Sequence, residues 1–151
     1  AAHPQCRAVR QLPLVEAERV AISAGRAASD PRARRAFGSP DAVLHGIKVL
    51  DLSRVLAGPI AGRSLADFGA DVLRIGAAHL PTVEGAVLAT GHGKRAAHLD
   101  LREASHRATL ERLLGQADVV INAFRPGALD RFGLGSEDLA RAHPGLVVVE
   151  L

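Results

Sequence analysis

Between Gly46 and Leu151 the apolar residues fall in short runs separated by polar and glycine-rich turns, an alternation that predicts strands and helices in turn. Ile47, Val49, Leu50 and Leu52 form the first run, with a strand expected over 48–52. Gly58-Pro59 ends it and opens a helix over 59–68, because proline at a first helical position gives up no needed N–H. Gly69 suits a left-handed helix end, and Asp71–Ile75 forms a second strand. Residues 76–93 show no period and read as a loop. Ala96–Leu101 is a third extended run leading into a helix over 102–114. Asp100 and Glu103 have capping-box spacing there, Glu103 and Arg107 can pair one turn apart, and Leu110, Leu113, Leu114 and Ala117 make the buried stripe. A fourth strand over 118–123 precedes the turn Arg125-Pro126-Gly127 and a helical turn ending at Gly133. Ser136 is placed to cap a last helix carrying Glu137 and Asp138 in its first turn. His143-Pro144-Gly145 breaks that helix, and 146–151 is a fifth strand.

Strands alternating with helices at this spacing predict an α/β fold, Rossmann-like, with a mostly parallel sheet and flanking helices. Two regions are expected, an extension or linker over 1–45 and the domain over 46–151. Leu12–Ile22 can form one strand or helix, whereas Gly25–Asp41 is rich in Arg, Ala, Ser and Pro without a period. The composition agrees with one core: 48% of the 151 residues are apolar. No window reaches the length of a membrane span, and the single cysteine, Cys6, excludes an internal disulfide. Both features point to a soluble protein of a reducing, cytoplasmic compartment. Methionine is absent even at position 1, so the chain is expected to be a piece of a longer protein, truncated at its C-terminal side.

The sequence pI of about 10.0 invites a nucleic-acid reading, which the distribution of charge opposes. Residues 1–45 hold seven arginines against Glu16, Glu18, Asp30 and Asp41, while residues 46–151 carry twelve charges of each sign. The domain therefore has no net basic excess, and four phenylalanines are the only aromatics of the whole chain.

Motifs narrow the chemistry further. Gly91-His-Gly-Lys-Arg resembles half of a P-loop but lacks the upstream glycine and the Ser or Thr after Lys94. The Gly-x-Gly-x-x-Gly fingerprint is missing after the first strand, where Leu-Ala-Gly-Pro-Ile-Ala-Gly stands, and a turn-and-cap role alone would explain Gly58-Pro59. The seven histidines form no His-x-x-x-His pair, so surface or cap roles are expected and no metal. Ser53 and Ser64 lack the context of a nucleophile. In a parallel sheet the carboxyl ends of the strands share one rim. That rim would gather Arg54–Gly58, Leu99–Arg102 and Phe124–Arg131, bringing two helix N-termini and the Phe124 ring together with Arg102, Arg125 and Arg131. Such a rim suits a ligand with an apolar body and several phosphates, although solvated loop arginines would read the same way.

Six motifs in order, Gly46–Pro59, Leu65–Ile75, Gly93-Lys-Arg, Leu99-Asp-Leu, Ala117-Asp-Val-Val and Phe124–Gly135, resemble the N-terminal part of the family III CoA-transferases. Formyl-CoA and carnitine CoA-transferases belong to that group, and α-methylacyl-CoA racemase is related. The resemblance implies a Rossmann-like large domain, interlocked homodimers, acyl-CoA and carboxylic acid substrates, and coenzyme A as the bound thioester carrier. It places CoA contacts on Leu56, Ala57, Leu99, Asp100, Leu101, Arg102, Phe124, Arg125 and Arg131. Arg102 and Arg131 would be phosphate partners and Phe124 an adenine-side wall. Gly76-Ala77 departs from the Glu-Arg or Glu-Pro pair common in the family after the second strand, Ala123 replaces an asparagine, and the loop 78–90 is shorter than usual. The family's catalytic aspartate would lie beyond Leu151. So would the racemase's acid/base His and Asp. Residues 2–20 faintly resemble a segment near the end of the family's small domain, which implies a duplicated parent.

Overall fold

The computed structural model describes residues 13, 15–18 and 42–151; the linker expected at Gly25–Asp41 and most of Leu12–Ile22 lie outside the described residues. The elements run β1 (Lys48–Asp51), α1 (Ala57–Asp67), β2 (Asp71–Gly76), α2 (Glu84–Thr90), β3 (Arg95–His98), α3 (Ala104–Leu114), β4 (Val119–Asn122), a 3-10 turn (Asp130–Phe132), α4 (Ser136–Ala142) and β5 (Val147–Glu150). The sheet order is β3-β2-β1-β4-β5. All four strand pairings are parallel, so the fold is the expected α/β sheet, with its crossover between β1 and β4.

Parallel strands covered on both faces need apolar residues in both phases. Leu50, Leu52 and Val120 face a leucine core built with Leu110 and Leu114 of α3, Leu134, and Leu139 of α4. Val49, Val72 and Ile121 face the other way, against Ala61, Leu65 and Ala66 of α1. Helix α1 buries Gly58, Pro59 and Gly62. These small residues let it lie close on the sheet: a Cβ on Gly58 would stand 2.1 Å from the Ser53 Cβ, and one on Gly62 2.7 Å from the Asp51 carboxylate. Gly69, at φ +94°, makes the left-handed exit into β2.

Local expectations shift by a residue or two, and several caps change. Helix α1 opens at Ala57, putting Pro59 third in its first turn, where its missing N–H is still unneeded. Helix α2 occupies part of the expected loop; its Thr90 hydroxyl donates to the Ala86 carbonyl. Helix α3 opens after Glu103 without a side-chain cap, because the Asp100 carboxylate is spent on Arg102. Arg107 donates to the carbonyls of Leu101 and Arg102 instead of pairing with Glu103. Gly135, not Ser136, is the N-cap of α4.

Candidate functional site

At the carboxyl ends of the strands lies a cavity of about 220 Å³. The loop after β1 contributes Leu52 and Arg54 to it, and the end of β2 contributes Arg74, Gly76 and Ala77. Leu99, Asp100, Leu101 and Arg102 line it from the loop after β3. Phe124, Leu129, Arg131 and Phe132 close it from the segment after β4. Six of the nine residues expected from the sequence therefore meet in one cavity, brought there because parallel strands all end on the same rim. Leu56, Ala57 and Arg125 do not line it; Leu56 is the N-cap of α1 and more than half exposed.

Each wall has its own local anchor. After β3 the backbone bends into an Asx-type turn, with the Arg102 N–H donating to Asp100 Oδ1 at 3.0 Å. The Arg102 Nε also donates to both Asp100 oxygens, at 2.9 and 3.0 Å. These bonds from the Arg102 guanidinium and N–H hold the Asp100 carboxyl well below the usual carboxylate range. His79 Nδ1 lies 3.4 Å from the same carboxylate, and the Asp100 N–H donates to His106 Nδ1 at 3.0 Å. After β4 the Phe124 N–H donates to Asn122 Oδ1, fixing the half-buried ring at the wall. The Arg131 guanidinium stacks over Phe132, 4.7 Å from the ring centroid.

Beneath the rim sits a feature the motifs did not announce. Asp51 is fully buried, and its Oδ2 accepts from Lys94 Nζ at 2.8 Å, the lysine side chain being 1% exposed. Lys94 Nζ also donates to the Pro59 carbonyl at 2.8 Å, while Ser53 donates to Asp51 Oδ1 through both its N–H and its hydroxyl. The pair thus ties the α2–β3 loop, the β1 turn and the start of α1 into one unit. Its only trace in the sequence is an aspartate inside an apolar strand. The β1 turn itself is tight, with Val55 in the left-handed region at φ 71°, unusual for a β-branched residue. Arg54, which the sequence places on the rim without making it a CoA contact, also lines the cavity, and Arg74, His79 and His98 are cavity residues that the sequence reading missed. Among the described residues no group of three or more His, Cys, Asp or Glu is arranged to hold a metal, and no helix is long and apolar enough to cross a membrane.

The model of the family described as CoA-transferase family III matches residues 44–151. A probable fatty acyl-CoA transferase of Mycobacterium tuberculosis, Rv3272, is 33% identical over 126 residues, covering 75% of this chain and 32% of the relative. The crystal structure of Rv3272 in an orthorhombic form superposes with a TM-score of 0.66 at 33% identity, covering 74% of this chain and 35% of that one. A CAIB/BAIF family protein from Brucella suis matches with a TM-score of 0.62 at 37% identity, over 73% of this chain and 33% of that one. The human α-methylacyl-CoA racemase is 39% identical over 108 residues, covering 72% of this chain and 28% of the relative. The chain spans about a third of the length of the relatives it matches.

Proposed function

We propose that this chain, which belongs to CoA-transferase family III, supplies the coenzyme-A-binding part of an enzyme that moves CoA between carboxylic acids. The supporting observation is the convergence of Leu99–Arg102, Phe124 and Arg131, from separate loops, on one mainly apolar cavity with cationic walls. Coenzyme A combines an adenine ring, a 3′-phosphate and a diphosphate with an uncharged pantetheine arm, and the cavity offers a surface for each kind of group. On this reading Phe124 flanks the adenine, and Arg131, braced on Phe132, meets the 3′-phosphate. The Arg102–Asp100 clamp shapes the wall through its backbone. Leu56 and Ala57 meet the arm as it leaves the cavity, and Arg125 stands at the outer edge. Transfer itself is assigned to an aspartate nucleophile beyond this chain, in a cytoplasmic homodimer using acyl-CoA and carboxylic acid substrates.

A second reading, a CoA-binding half without chemistry of its own, draws on Ala77 and Ala123, which stand where the family often carries an arginine or proline and an asparagine. A third, acyl-CoA racemisation, draws on the human relative. One experiment separates them. The complete gene product is incubated in D₂O with an acyl-CoA and a different free carboxylic acid, and the thioesters are resolved by mass spectrometry. A new thioester supports transfer, deuterium at the α-carbon without a new thioester supports racemisation, and CoA binding with neither supports the non-catalytic half. No CoA binding at all would overturn all three.

A further inference from the structure

A second cavity of about 200 Å³ adjoins the first and is lined by apolar groups, among them Val55, Pro59, Val83, Ala86 and Val87. The two cavities share Arg54, Arg74 and Thr82 as wall residues. We infer that Arg54 and Arg74 form an anion seat at the strait between them, which takes the diphosphate of an adenosine diphosphate ester whose uncharged arm continues into the second cavity. The inference rests on the CoA-binding reading above and deepens it, since neither arginine belongs to the contact set that the family resemblance implies.

The charge balance around Arg74 carries the argument. Arg74 pairs with Asp51 in the parallel register of β1 and β2, so the two side chains leave the same face of the sheet. The Asp51 carboxylate would be its natural counter-charge, but Lys94 and Ser53 already occupy both oxygens. Arg74 is half-buried, and among the described residues its side chain makes no hydrogen bond or ion pair. The neighbouring arginines differ: Arg102 is clamped by Asp100, and Arg95 lies bidentate on Asp71. A half-buried arginine whose guanidinium has five unused donors and no counter-charge among the described residues favours an anion from outside the protein.

Space at the strait comes from Gly76, two residues further along the same face of β2. A Cβ there would crowd the His98 ring at 3.1 Å and come into van der Waals contact with Arg74 Nη2 at 3.8 Å. Across the opening Arg54 is oriented by donating to the Pro81 carbonyl, leaving its other N–H groups for a ligand. Arg131, by contrast, enters the first cavity from the β4 side. Two separated cationic positions suit a molecule with two separated anionic groups.

Calorimetry on the complete gene product with CoA, 3′-dephospho-CoA and pantetheine tests the assignment. Losing charge-assisted bonds to a diphosphate should weaken both nucleotides by ~10- to 100-fold in Arg74→Ala, leaving pantetheine unaffected. Arg74→Lys, which keeps the charge but loses the fork, should fall between, and Arg54→Ala should affect the same two ligands. Arg131→Ala should instead weaken CoA and spare dephospho-CoA. If the unaltered protein binds CoA and Arg74→Ala binds both nucleotides within about twofold as tightly, the seat is overturned and the CoA reading stands. Equal loss of pantetheine would reduce Arg74 to a structural role and likewise overturn the seat. Failure of the unaltered protein to bind CoA would overturn the reading and the seat together.

Discussion

The two faces of the sheet cover its central strands, β1, β2 and β4, with opposite materials. Towards α3 and α4 the interior is leucine on leucine, with Leu110 and Leu114 almost wholly removed from solvent. Towards α1 the helix buries Gly58, Pro59 and Gly62 and packs Ala61, Leu65 and Ala66 on the strands, and the buried polar cluster of Asp51 with Ser53 and Lys94 sits there. The first face supplies apolar area and little directional information. The second has few large side chains, and its hydrogen bonds fix the position of a loop, a turn and a helix start under the cavity. Stability and placement of the site are thus divided between faces.

The largest expected effect removes one partner of the buried pair. Lys94→Met leaves Asp51 buried without its counter-charge and should cost about 3–5 kcal/mol in urea unfolding. Adding Asp51→Asn should recover part of that loss; strictly additive costs would show that the two do not interact. On the other face, Leu114→Ala should cost about 2–5 kcal/mol by cavity formation. If the division between faces holds, Leu114→Ala leaves CoA affinity unchanged while the protein remains folded, whereas Lys94→Met weakens it even well below its melting temperature. Gly62→Ala, which pushes a methyl against the Asp51 carboxylate, should cost about 1–3 kcal/mol, and an Ala66→Gly control would show none of that steric origin.

The smallest effect concerns acid. Asp100 has a folded pKa depressed below its ordinary 3.8 by Arg102. A depressed carboxylate adds stability above its unfolded pKa and loses it as pH falls through the folded value. Lowering the pH from 7 towards 4 should therefore leave the clamp intact, with loss only below about 3.8. Carbon NMR of the Asp100 carboxyl checks this, and a midpoint at or above the ordinary value would show that the clamp does not form in solution. Arg102→Ala should return the midpoint to the ordinary range.

Elements with strong periodicity and punctuation were readable in advance. The strands at 48–52, 71–75 and 118–123 and the helix stripe Leu110–Leu114 all recur within a residue or two. Caps were less readable, because Asp100 has two uses for its carboxylate and only the tertiary setting, with Arg102 folded back on it, decides between capping α3 and closing the turn. Helix α2 escaped notice since its seven residues are too few to display a period.

Of the site, the sequence by itself determined which loops share a rim, because alternation of strand and helix implies parallel strands and parallel strands end together. It also determined six of the residues that line the cavity. Tertiary structure alone decided which charges are free. Asp51 and Lys94 are 43 positions apart, and their bond can be seen only once β1 and the α2–β3 loop are packed. That bond leaves Arg74 without a counter-charge, since the energy of a charge depends on distance and burial, and neither is written in residue order.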